Sequence, residues 1–142
     1  MSGRSSKTQP VWSWLVFAGF AALYLVTAAH TVQGGDSGEF ATVAAGGGVP
    51  HPSGYPLFAL LSQAFVALIP FGSVAWKVSA LSALLGAAAL GVLHRALLLA
   101  TRDDFGALVG SAMLGFSPLF WRWSVVQEVL SGACLTAALV LL

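Results

Sequence analysis

The sequence predicts an all-α integral membrane protein, and three observations predict it. Of its 142 residues, 58% are hydrophobic and only 8% are charged, against about a quarter charged in a soluble domain. Mean hydropathy is +0.87. The few charges are also unevenly placed: none lies between Lys7 and Asp36, none between Glu39 and Lys77, and none after Glu128. Because a charge is costly in hydrocarbon, such gaps mark segments that a bilayer can hold. The same counts exclude other classes. So apolar a chain is not a disordered tail. The single Cys134 forms no internal disulfide and offers no metal-ligand spacing. A net charge of +1 leaves no basic stripe, so no nucleic-acid partner is expected.

A span needs about 20 mostly apolar residues. By that measure the candidate helices are 11–32, 56–72, 75–100, 104–121 and 124–142, about four to five transmembrane helices. Residues 1–10 form a tail that Arg4 and Lys7 keep cytoplasmic under the positive-inside tendency. The first run is longer than a signal-peptide h-region and others follow it, so it reads as a signal anchor. The loop 33–55 then lies outside the cytoplasm, and it contains no Lys or Arg. The second candidate is short and ends at Pro70. It is either a tilted span or a partly re-entrant continuation of the loop. The third is interrupted only by Lys77 and Arg95, and the fourth is bounded by Asp104 and Arg122. The last runs to Leu142 without a polar flank. That ending reads as the N-terminal piece of a longer polypeptide, with 11–142 an incomplete transmembrane domain.

The loop carries the chemistry. From Gly34 to Phe58 it reads GGDSGEFATVAAGGGVPHPSGYPLF, with Asp36 and Glu39 as its only charges. His51 sits between Pro50 and Pro52, and Tyr55 precedes Pro56. Carboxylates in such a segment act as general bases or bind a divalent cation, and an imidazole serves a phosphate or a metal. A structural reading stands beside this one. Asp36-Ser37-Gly38-Glu39 also fits a capping box opening a short helix through about Ala45. The prolines around His51 fit a rigid turn, and Tyr55 fits an interfacial aromatic. Composition and spacing stop at an external polar site of unassigned chemistry.

Here a resemblance enters. GDSGEFATVAAGGGVPHPSGYPLF (Gly35–Phe58) resembles the opening loop of the transmembrane protein 260-like family of protein O-mannosyltransferases, which are multi-spanning glycosyltransferases of the GT-C type. The pattern is an Asp-Ser-Gly-Glu element, here Asp36–Glu39, and a Gly-X-Pro-His-Pro-X-Gly-X-Pro-Leu element, here Gly48–Leu57. WKVSALSALLGA (Trp76–Ala87) and SPLFWRWSVVQEVLS (Ser117–Ser131) are similar to two further family segments. Ser53, Ser79 and Leu130 depart from the residues usual there. The resemblance implies the N-terminal part of a GT-C-like bundle, inactive alone. It implies a polyprenyl- or dolichyl-phosphate sugar as donor, and a protein or cell-envelope hydroxyl as acceptor. Inverting transfer would occur at the non-cytoplasmic face of the plasma membrane in a bacterium, or of the endoplasmic reticulum in a eukaryote. Asp36 would be the base, and Glu39 would orient the acceptor or a cation. His51, Pro52 and Tyr55 would lie near the donor. The leaving phosphate needs a cation or donors nearby, and no Lys or Arg of the loop supplies them.

Glu128 is a further substrate-binding candidate that depends on topology. A strict up-and-down count puts Trp121–Glu128 opposite Asp36 and leaves Arg95 and Arg102 outside. A re-entrant 56–72 reverses both. Arg122 fits snorkelling between Trp121 and Trp123, Arg102–Asp104 a solvated turn, and His30 and His94 interfacial positions. Two other functions compete with transfer. One is a transporter or channel segment using the Pro-broken loop to coordinate substrate, although its acids lie outside the apolar runs. The other is a small non-catalytic membrane subunit.

Overall fold

The computed structural model describes residues 11–142, so the expected tail 1–10 lies outside the described residues. Among the described residues all regular structure is helical: α1 Val11–Thr27, α2 Ser37–Gly46, α3 Pro56–Leu68, α4 Val74–Thr101, α5 Asp104–Gly115, α6 Pro118–Ser124 and α7 Leu130–Val140. Helix α4 is the axis of the bundle and touches all six others. At 28 residues it is about 42 Å long. It is the helix, among the described residues, long and apolar enough to cross a membrane; α1, α3, α5 and α7 are apolar but shorter.

Local chemistry explains the shorter lengths. Ser117 caps α6 by accepting from the Phe120 N–H at 3.4 Å, and Pro118 opens that helix. Proline has no N–H to continue a preceding helix, so the expected run 104–121 divides into α5 and α6. Residues 125–129 leave helical geometry, so the run expected from 124 becomes helical only at Leu130. Ser73 caps α4, accepting from the Trp76 N–H at 3.1 Å. Close helix contacts rest on small residues. A Cβ on Gly91 would lie 3.1 Å from the Ser13 carbonyl oxygen of α1, and one on Gly86 would lie 2.5 Å from Ser124 Oγ.

Specific contacts fix which ends meet. Ser13, early in α1, lies 3.0 Å from Nδ1 of His94, late in α4. Beyond the other end of α1, the His30 carbonyl accepts from Ser73 Oγ at 2.8 Å, and the His30 ring stacks on Trp76. α1 and α4 are therefore antiparallel. The α2–α3 excursion returns to the end of the bundle it left, and Lys77 Nζ donates to the Val66 carbonyl near the end of α3. The Ala29 N–H reaches the Val125 carbonyl at 2.8 Å, which brings the α6–α7 turn to that same end. This corrects the strict up-and-down count. Segment 56–72 turns back, Glu128 shares an end with Asp36, and Arg95 and Arg102 belong to the end where His94 lies. His94 is 1% exposed, its ring set between α1 and α4.

Candidate functional site

The polar end of the bundle is built on α2 and the loop behind it. Asp36 is the N-cap residue of α2, but its side chain makes no capping bond. Glu39, one turn along, does not reach back to the cap as a capping box would require. Both its oxygens go to His51: the backbone N–H donates to Oε1 at 2.6 Å, and Nδ1 lies 2.6 Å from Oε2. These are charge-assisted bonds, about twice as strong as a neutral cap contact, so the imidazole outcompetes the helix end. The Gly54 N–H closes the turn on the His51 carbonyl at 2.7 Å.

Held this way, Nδ1 carries its proton toward Glu39, and Nε2 faces Asp36 Oδ2 at 3.7 Å. The Glu39 carboxylate bond raises the His51 pKa above the ordinary imidazole value, and the charges of Asp36 and Glu128 add to it. His51 in turn holds Glu39 below the usual carboxylate range, first through the ring and then through its backbone N–H. Phe40, buried at 2% exposure, supports the cluster from below, with Tyr55 and His51 rings against it at 5.8 and 6.5 Å. Tyr55 has φ 37 as the N-cap of α3 and sets its ring 5.6 Å from His51. Pro52 is exposed in the turn and adds shape rather than a polar contact.

Glu128 arrives from the α6–α7 turn. Its side is mostly buried, and burial followed by the Asp36 charge pushes its pKa up. The structure thus brings together Asp36, Glu39, His51, Tyr55 and Glu128. Arg122 stays outside, its guanidinium 5.2 Å over the Trp123 ring.

The residue missed by sequence reasoning is Gln127. It is fully buried, with Nε2 at 2.7 Å from Ser79 Oγ, 3.0 Å from the Ala75 carbonyl and 3.3 Å from the Thr31 carbonyl. An amide directly before Glu128, ahead of an apolar run, was the available signal, since buried polar groups need partners.

A divalent cation was expected to be possible here. Asp36, Glu39 and His51 offer ligand atoms within 4.8 Å of one another. Both Glu39 oxygens, however, are already occupied by His51, and Nδ1 is the nitrogen facing them. The Glu39–His51 pairing leaves Asp36 Oδ2 and His51 Nε2 facing each other at 3.7 Å. What the arrangement offers is an exposed carboxylate beside an imidazole that favours its charged form, within a water-accessible rim over an apolar bundle.

Residues 36–142 match the family described as the Protein O-mannosyl-transferase TMEM260 N-terminal domain. The chain is 42% identical over 116 residues to the Protein O-mannosyl-transferase TMEM260 of Mus musculus, covering 82% of this chain and 16% of the mouse protein. It is 38% identical over 119 residues to the Protein O-mannosyl-transferase tmem260 of Dictyostelium discoideum, covering 82% of this chain and 14% of that protein. The chain thus spans less than a fifth of the length of these curated relatives. No solved structure matches it.

Proposed function

The chain belongs to the TMEM260 N-terminal domain family, and from that premise we propose that it supplies the catalytic end of a membrane O-mannosyltransferase. The donor is a polyprenyl- or dolichyl-phosphate mannose, and the acceptor is a serine or threonine hydroxyl of a protein. Asp36 takes the hydroxyl proton as the oxygen attacks C1 of the sugar. The C1–O bond to the lipid phosphate breaks, and the configuration inverts. The base is needed because a hydroxyl is a weak nucleophile. His51, protonated at both nitrogens, meets the charge left on the departing phosphate. Glu39 keeps that ring charged and oriented.

The observation that carries this reading is the double hydrogen bond from His51 to Glu39, which turns Nε2 toward Asp36. It sets a carboxylate beside an imidazole that favours its charged form in a loop without Lys or Arg, which supports the reading. An apolar groove lined by Tyr55, Phe58, Leu61, Val129 and Leu135 starts beside the cluster and suits an isoprenoid tail. In the membrane, α1, α4, the α5–α6 pair and α7 cross, while α2 and α3 form a re-entrant unit at the non-cytoplasmic face. Arg95 and Arg102 at the opposite end agree with the positive-inside tendency.

The test uses the full-length protein, reconstituted with polyprenyl-phosphate mannose and a serine-containing acceptor. Asp36→Asn is expected to reduce transfer by about 100- to 10,000-fold, the range of a lost general base, with membrane insertion intact. Near-normal transfer by that variant removes Asp36 from the base role.

A further inference from the structure

The α6–α7 turn, residues 125–129, is not helical, and its central polar groups at Gln127 and Glu128 are tied to other elements. Ser82 Oγ donates to the Glu128 carbonyl at 2.9 Å and accepts from the Glu128 N–H at 3.3 Å. Gln127 ties the turn to α4 through Ala75 and Ser79, and to the loop after α1 through Thr31. Its Oε1 accepts from the Gln33 N–H at 3.4 Å, and its carbonyl accepts from Ser37 Oγ at 3.5 Å. Ser37 follows Asp36 directly. The two residues flanking this junction are therefore the two acids: Asp36 on one side and Glu128 on the other.

We infer that Gln127 and Ser82 are positioning residues, which hold the turn carrying Glu128 at the same end of the bundle as the Asp36–His51 pair. The inference rests on the transferase reading for its kinetic consequences, not for its geometry. Bulk packing alone does not explain the bracket. Every side-chain bond of Gln127 goes to the α1–α2 loop or the first turns of α4, its carbonyl takes the Ser37 hydroxyl at the start of α2, and none goes to α7. Its effect is to fix one turn relative to the base. The charged groups acting on Glu128 are Asp36 and His51, and those acting on His51 are Glu39, Asp36 and Glu128. Releasing Glu128 withdraws one of the three acidic neighbours that favour charged His51.

Gln127→Met keeps side-chain length while removing every polar bond of the side chain. In the full-length protein it is expected to lower kcat by roughly ten- to a hundredfold, the cost of a small misplacement. KM for polyprenyl-phosphate mannose should stay within about twofold, since the donor groove is untouched. The alkaline limb of the pH profile should move to lower pH. Ser82→Ala, a milder change, should shift it in the same direction by less, and it carries the test if Gln127→Met does not fold. The His51 titration, followed by its imidazole NMR resonance and assigned by its loss in His51→Ala, should shift downward in both variants. An unchanged His51 titration overturns the inference. So does a fall in kcat with an unmoved pH profile, which marks a merely structural role. Absence of transfer by the unsubstituted protein would instead sink the transferase reading, and the NMR titration would still decide this one.

Discussion

His51 and His94 are both engaged through Nδ1, at opposite ends of the same bundle. His94 meets the Ser13 hydroxyl at 3.0 Å inside the α1–α4 contact and is 1% exposed. His51 meets the Glu39 carboxylate at 2.6 Å, is 38% exposed, and has Asp36 and Glu128 within electrostatic reach. One ring, given a hydroxyl and no water, ties two helices together. The same ring, given carboxylates and water, favours its cation and faces the Asp36 carboxylate. The difference lies in the surroundings, and these are set by the antiparallel α1–α4 pair, which brings one histidine to each end.

The strongest way to sharpen that contrast is Asp36→Asn, with its expected loss of about 100- to 10,000-fold in transfer. Next comes His51→Ala. Without the loop's cation, transfer should fall by about tenfold to a hundredfold through lost charge stabilisation, and donor affinity should weaken. Unchanged donor affinity would relegate His51 to loop structure. The counterpart His94→Ala should do the opposite. It should destabilise the bundle by about 2 kcal/mol through a lost buried hydrogen bond and a cavity, read as a lower Tm, with the pH profile unmoved. A displaced profile would break the contrast.

Glu39→Gln probes the pH dependence. His51 has a raised pKa, so activity that needs its cation persists above the ordinary imidazole range and is lost as pH rises through the raised value. Removing the Glu39 charge lowers that value, and the alkaline limb should move to lower pH. A limb that stays in place would assign it to another group. The smallest expected effect is from EDTA, which should leave transfer within about twofold when His51, and not a cation, meets the departing phosphate. Loss of transfer on chelation, restored by Mg2+ or Mn2+, would overturn that reading.

Much of the site was legible because polar residues are rare in this chain. Asp36, Glu39 and His51 stood out in a loop with no basic residue, and they do meet. Their pairing was not legible. A capping box and a carboxylate–histidine clamp share the same Asp36–Glu39 spacing, and only the fold of the loop back onto α2 selects between them. Helix lengths were overestimated where charge-free runs hid a local stop, as at Ser117–Pro118. Hydropathy records solubility in lipid and is blind to a break in the backbone ladder. Gln127 escaped notice because a single uncharged amide has no motif, and its meaning lies in partners 48 to 96 residues away.

The His30–Ser73 hydrogen bond spans a separation of 43 residues. It pinches the chain shut at the base of everything between α1 and α4, so the bundle is threaded as if α1 led straight into α4. By the entropy of loop closure alone, lengthening an excursion whose feet are pinned costs little, roughly 0.6 kcal/mol per doubling. The constraint on its length therefore comes from its packing of Phe40 and Phe58 on Val78 and Leu81.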